Sequence, residues 1–305
     1  HPASGLTPPI VAEFPGIQLI KEPRRGLAYA RNAGIVHSNG DIVVTTDDDV
    51  TMPTGWLEQL LAPFTRSDVM IVTGNVLPVE LETRAQQLFE LYGGLGRGFQ
   101  PFEVNGNWFE QFPRQPAPVW TLGATANAAF RSCIFQHPQI GLMDEALGPG
   151  MPSGVGEDTY LFYKVLKAGY TLVYQPKACV WHKHRRKMSD LRRQLYNYSK
   201  GHVAYNLTTW LQDGDWRGLA QVLVGLPLAH LTRTYYRLRG WSDYPISLIL
   251  LEILGNLAGP WSLGMSRLRV WREGRSQAYR PRNQRYSATM DSDADADVVA
   301  NTGVD

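Results

Sequence analysis

Three adjacent carboxylates, Asp47, Asp48 and Asp49, follow the apolar, β-branched run Asp41-Ile-Val-Val-Thr-Thr46. Such a run reads as a buried strand. Carboxylates crowded at its end repel one another and lose part of their hydration. A divalent cation relieves both costs, and oxygen ligands suit Mg2+ or Mn2+. The plainer alternative is a solvated acidic turn capping the next helix. A second acidic pair, Glu157 and Asp158, ends a glycine-rich stretch from Gly148 to Gly156. Behind it, Leu161, Phe162, Val165 and Leu166 form the apolar stripe of a helix, and Gly169 is placed to end it. A carboxylate delivered to a helix start under a mobile loop can act as a general base. The alternative is an acidic pair that only complements the helix dipole.

Two further stretches carry polar groups with possible chemistry. Trp120-Thr-Leu-Gly-Ala-Thr-Ala-Asn-Ala-Ala-Phe-Arg131 is rich in small residues, which let backbone approach a ligand closely. It reads equally as a tightly packed strand and turn. Cys179-Val-Trp-His-Lys-His-Arg-Arg186 ends a strand-like run with two histidines and two arginines. Arg185 and Arg186 suit either a departing diphosphate or an anionic lipid surface.

The elements that must position these residues alternate. Residues 17–20 are a short strand candidate, residues 26–36 a helix, residues 41–46 a strand and residues 69–73 another. Between the last two, Trp56, Leu57, Leu60, Leu61 and Phe64 fall on one helical face, with Thr54 as a possible N-cap. Strands alternating with helices predict an α/β domain with a mainly parallel sheet. The whole chain has 305 residues, a net charge of +2, 44% hydrophobic and 19% charged residues. That excludes a wholly disordered chain, a collagen-like repeat and a polytopic membrane protein, and gives no reason to expect nucleic acid as a partner. Cys133 and Cys179 cannot make a disulfide framework, and no Cys/His spacing matches a zinc site.

The motifs fall into one string: Arg24-Arg-Gly-Leu-Ala-Tyr-Ala-Arg-Asn-Ala-Gly34, then Asn39-Gly-Asp-Ile-Val-Val-Thr-Thr-Asp-Asp-Asp49, then Pro53 and Trp56-Leu57. This string resembles family 2 of the glycosyltransferases, whose members share the GT-A nucleotide-sugar fold. The resemblance reaches over roughly residues 17 to 200. It implies inverting transfer of a sugar from a nucleotide-diphosphate sugar to an acceptor hydroxyl, assisted by Mg2+ or Mn2+. It implies Asp158 as general base with Glu157 beside it, and Asp49 and His182 as metal ligands. Arg31, Asn32, Asp47, Asp48 and Arg185 would bind the nucleotide sugar, Asp47 near its ribose. Asn127 and Arg131 would line the acceptor side.

Members of the family begin with a base-binding β-α-β unit. Only 29 residues precede Ala30, and the first nine read as loop. The expectation is therefore a GT-A-like, Rossmann-related domain over residues 1–185, lacking that unit at its N-terminus. A catalytically impaired membrane-associated remnant and a nucleotidyltransferase are the competing readings. Residues 186–275 open with a basic run and hold two apolar segments, flanked by Trp241, Tyr244 and Trp261 and by Arg237, Arg239, Arg267 and Arg269. That pattern predicts a helical extension in a membrane interface, with a pair of buried covering helices as the alternative. Residues 276–305, with Asp291-Ser-Asp-Ala-Asp-Ala-Asp297, read as a disordered acidic tail. The combined expectation is polysaccharide or glycolipid synthesis at the cytoplasmic face of a membrane, with a saccharide or lipid-linked acceptor.

Overall fold

The computed structural model describes residues 7–281. Helix α1 (Thr7–Ala12) stands where the prolines predict loop; Pro8 and Pro9 occupy its first turn, where no backbone N–H is needed. Residues 17–20 form no strand, and Ile17 and Leu19 are exposed. Helix α2 (Leu27–His37) then buries Ala28 and Ile35 and leads into β1 (Ile42–Thr46). After the acidic turn come β2 (Val50–Thr51), α3 (Trp56–Leu61) and β3 (Val69–Pro78). Helix α4 (Arg84–Tyr92) opens on a capping box between Thr83 and Gln86. Strand β4 (Phe102–Val104), α5 (Gly106–Glu110), β5 (Asn127–Arg131), α6 (Glu157–Lys167) and β6 (Thr171–His182) complete the layered part.

The sheet order is β1-β5-β3-β6-β2, with β4 also on β6. It is mixed rather than mainly parallel: β3 and β6 are parallel, and every other pairing is antiparallel. Periodicity reports burial and carries no information on direction. β5 starts beside the carboxyl end of β1, with Asn127 opposite Thr46, and therefore runs back between β1 and β3. Alternation sends its residues to two layers. Ala128 and Phe130 pack with α2 and α6 residues such as Ile35 and Leu161, whereas Ala129 packs with Leu60 of α3.

Among the described residues four further α-helices follow, α7 (Met188–Asp213), α8 (Trp216–Ala220), α9 (Leu226–Leu238) and α10 (Ile246–Glu273), with a π-helical turn between α8 and α9. The change of composition near residue 185 is not a break in packing. Ala204 and Tyr205 of α7 and Leu263 of α10 share one buried cluster with the sheet. α10 runs unbroken through Glu252, Asn256 and Pro260, since the two polar residues turn inward to Arg233 and His230. Its contact with α7 is close because it is made by small residues. A Cβ on Gly259 would lie 2.5 Å from the Cβ of Val203. The expected tail begins inside the fold: the Ser276 amide donates to Glu145, and Tyr279 is buried against Phe135. The acidic run at 291–297 lies outside the described residues.

Candidate active site

A cavity of about 1180 Å3 opens at the carboxyl end of β1 and extends under α7, α9 and α10. That exceeds the usual span of a single small-molecule site. Asp47, Asp49, Asp158, His182 and Arg185 all line it. The pairing of Val50 with His182 brings the end of β6 beside the acidic turn. Ligand atoms of Asp47, Asp49 and His182 lie within 4.8 Å of one another, and His182 Nε2 is 3.3 Å from Asp49 Oδ1. Two carboxylates and an imidazole are a donor set that could hold a divalent ion, with the imidazole favouring Mn2+ over Mg2+. Asp47, expected on the nucleotide side, thus stands with the two residues expected to ligate metal. Asp48 is exposed and does not line the cavity.

The imidazole is held by a chain of hydrogen bonds. His184 Nε2 is 2.6 Å from Glu90 Oε1, and its Nδ1 is 2.9 Å from His182 Nδ1. A carboxylate can only accept, so His184 donates from Nε2 and accepts at Nδ1. His182 must then donate from Nδ1, which leaves the Nε2 lone pair toward Asp49. Burial lowers the pKa of His182 against the opposing pull of Asp49, which favours the neutral ligand form. Glu90→Ala or His184→Phe is therefore expected to weaken Mn2+ binding about 10- to 100-fold, with Asp47 and Asp49 intact. Calorimetric titration with Mn2+ checks this, and unchanged affinity would show that His182 is not held this way.

Arg31 ties the two acidic motifs together. Its guanidinium is 2.8 Å from Asp47 and 3.2 Å from Glu157, and it also bonds Thr125. Glu157 is buried, and its Oε2 accepts from the Gly156 amide at 3.2 Å. Burial, with Asp158 adjoining, pushes its pKa up to about 7 against the pull of Arg31. Asp158 differs. Its Oδ1 accepts from the Thr159 amide at 2.7 Å and from the Thr159 hydroxyl, and its other oxygen has no protein donor among the described residues.

The loop over residues 148–156, expected to be mobile, is packed. Ser153 accepts no freedom: its amide donates to Ser266 of α10, and its hydroxyl donates to the Ala146 carbonyl. Gly154, at φ +103°, lies so close to the Asn197 carbonyl of α7 that any Cβ would collide with it. The final helices thus hold the segment that presents Asp158.

Besides Asp48, three expected site residues stand elsewhere. Asn32 is buried; its amide nitrogen donates to the Met143 carbonyl and to Glu145, and its oxygen accepts from the Met143 amide. Asn127 is buried between strands, donating to the Asn75 and Ala178 carbonyls and accepting from the Trp56 indole. Arg131 sits opposite Ile42, at the far end of β1 from the acidic turn, and donates to the Phe64, Arg66 and Val69 carbonyls. These side chains are spent on structure. Arg186 is likewise bound, to Glu80 and Glu82, whereas Arg185 makes no ion pair among the described residues.

Arg97 is a cavity residue that the sequence reading missed. It donates to the carbonyls of Gly94, Gly96 and Trp120, has no carboxylate partner among the described residues, and has its pKa lowered by burial. Its signal was a lone cation within Gly93-Gly-Leu-Gly-Arg-Gly98. Trp120 stands nearby, edge-on to His202 at 4.8 Å.

The chain is similar to known glycosyltransferases. The pre-mycofactocin glycosyltransferase of Mycobacterium tuberculosis is 29% identical over 192 residues, covering 62% of this chain and 37% of that protein. Polypeptide N-acetylgalactosaminyltransferase 11 of Xenopus tropicalis is 26% identical over 201 residues, covering 62% of this chain and 31% of that protein. The chain thus spans about a third of the length of these curated relatives. Among solved structures, a mannosyltransferase from Pyrobaculum calidifontis in complex with GDP-Man and Mn2+ aligns at 16% identity and a TM-score of 0.41, covering 92% of this chain and 63% of that one. GalNAc-T7 with UDP, GalNAc and Mn2+ aligns at 18% identity and a TM-score of 0.39, covering 65% of this chain and 37% of that one. Residues 4–136, which include the acidic turn, match the model of glycosyl transferase family 2.

Proposed function

We propose that the chain transfers a sugar from a nucleoside diphosphate sugar to an acceptor hydroxyl, with inversion at the anomeric carbon. The observation that carries this reading is the convergence of Asp47, Asp49 and His182 in the same cavity as Asp158. The relatives named for glycosyl transfer support a sugar as the transferred group. Asp47, Asp49 and His182 would hold a divalent metal, which when bound offsets charge on the departing diphosphate. Arg185, which lines the same cavity and has no ion pair among the described residues, adds positive charge there. The free oxygen of Asp158 takes the proton of the attacking hydroxyl, and the packed loop holds it in place. Direct attack by that hydroxyl on the face opposite the diphosphate gives inversion. The acceptor is a saccharide or lipid-linked hydroxyl, as in polysaccharide or glycolipid synthesis.

The test is to incubate the purified chain with Mn2+ and a panel of UDP- and GDP-sugars. Release of nucleoside diphosphate that stops on adding EDTA supports the proposal. Neither release nor calorimetric binding of any donor would count against it and favour a non-catalytic chain. Pyrophosphate release from a nucleoside triphosphate would favour nucleotidyl transfer. With an acceptor identified, a product of retained configuration by NMR would remove the inversion.

A further inference from the structure

Helices α9 and α10 expose broad apolar faces and turn several polar residues toward the cavity. Toward the cavity, α9 presents His230 and Arg233 beside Leu226, and α10 presents Glu252 and Asn256 beside Leu248. Arg233 pairs with Glu252, which also accepts from the Tyr244 hydroxyl, and Asn256 bonds His230. The outward faces are apolar. Leu228, Leu231 and Leu238 of α9 and Leu254, Leu257 and Trp261 of α10 are between 56% and 76% exposed. α9 has no buried residue at all, so its apolar face has no protein cover among the described residues. A soluble surface helix has the reverse polarity.

Charge identifies what covers this face. From Trp216 to Ser242 the chain has no carboxylate, and within α10 the acids are Glu252, which faces inward, and Glu273 at the very end. Cations border the apolar face at both ends. Arg239 and Trp241 lie beyond α9, and Trp271, Arg272 and Arg275 lie at the end of α10. Arg239, Arg272 and Arg275 form no ion pair among the described residues, and Trp241 and Trp271 are strongly exposed. A second copy of the chain would bring like-charged rims together. An anionic bilayer meets the apolar centre with acyl chains and the arginines with headgroups, and the tryptophans suit the boundary. α10 is also long and apolar enough to cross a membrane, yet its inner face is buried on α7 and its polar seam on α9, so it lies along the interface.

We propose that the outward faces of α9 and α10 seat the chain on an anionic phospholipid bilayer, with the polar end of the cavity directly behind them. The proposal does not depend on the reaction. It is tested by flotation of the full chain with vesicles of phosphatidylglycerol and phosphatidylcholine in equal parts. The chain is expected to float with these vesicles and to bind pure phosphatidylcholine on the order of tenfold less well. Leu257→Glu with Trp261→Glu should lower binding by roughly tenfold or more with unchanged helical circular dichroism. Leu231→Glu on the neighbouring helix tests the surface independently, and Asp158→Asn should float like the unaltered chain. A chain that stays with the soluble fraction overturns the proposal. So does flotation that survives both sets of substitutions, which would put the contact elsewhere. A dimer that falls apart on Leu257→Glu without any vesicle binding would assign the face to a second copy instead.

Discussion

Asp158→Asn is expected to lower turnover by about 10²- to 10⁴-fold while leaving donor affinity and stability near their starting values. The asparagine carbonyl can accept the Thr159 amide bond that Asp158 Oδ1 accepts at 2.7 Å, so the local geometry survives. Lost is the free oxygen that can receive a proton. Steady-state turnover, donor titration and thermal melting together read this. Turnover within a few fold of the unaltered chain would show that the base lies elsewhere. The adjoining carboxylate should behave differently. Glu157 is buried, and its oxygens are engaged by Arg31 and the Gly156 amide, so Glu157→Gln should alter stability and its pH dependence more than proton removal. Asp158 is one of the causes that raise Glu157, so Asp158→Asn should also let Glu157 ionise at a lower pH.

How much of this arrangement the sequence carried differs by element. The acidic turn and the Glu157-Asp158 helix start are local features, each written within a few residues, and local features are legible. Helices α2 and α6 and strands β1 and β3 were legible from apolar periodicity for the same reason. Strand direction was not, because a residue's burial is the same whichever way its neighbour runs. Nor was the fate of polar residues inside a recognisable motif. Asn32 and Arg31 adjoin in one string, yet one is buried on Met143, 111 residues away, and the other reaches into the cavity. Asn127 and Arg131 share a strand, and both spend their donors on backbone carbonyls. Glu90, which orients His184, is 94 residues from it and sits on an amphipathic helix with no local mark of its role. The polar seam between α9 and α10, with apolar faces outside it, was half visible. The flanking aromatics and arginines suggested an interface, and Glu252 and Asn256 looked like interruptions until their partners on α9 were known.

Arg31→Ala is expected to cost about 3–5 kcal/mol of stability, because it leaves a buried carboxylate without its counter-charge. The side chains of Arg31 and Glu157 are 9% and 4% exposed, so solvent does little to screen the loss. The effect should depend on pH, and its sign follows from Glu157. Its folded pKa, about 7, is raised above the ordinary carboxyl value of 4.5. Its favourable share of stability is therefore full below about pH 4.5 and is lost as pH rises through 7. Arg31 lowers that folded pKa, so removing it raises the pKa further and deepens the loss on the alkaline side. Urea unfolding should thus show a larger destabilisation by Arg31→Ala at pH 8 than at pH 5. Equal losses at the two pH values would mean that Glu157 does not sense Arg31. Arg31→Lys should recover part of the charge but not the simultaneous reach to Asp47, Glu157 and Thr125, because an ammonium lacks the planar fork. The same substitution separates the two acidic motifs, so Asp47 and the start of α6 lose their shared anchor. Activity should therefore fall even where the chain remains folded, since Asp158 is one residue from the group that Arg31 holds.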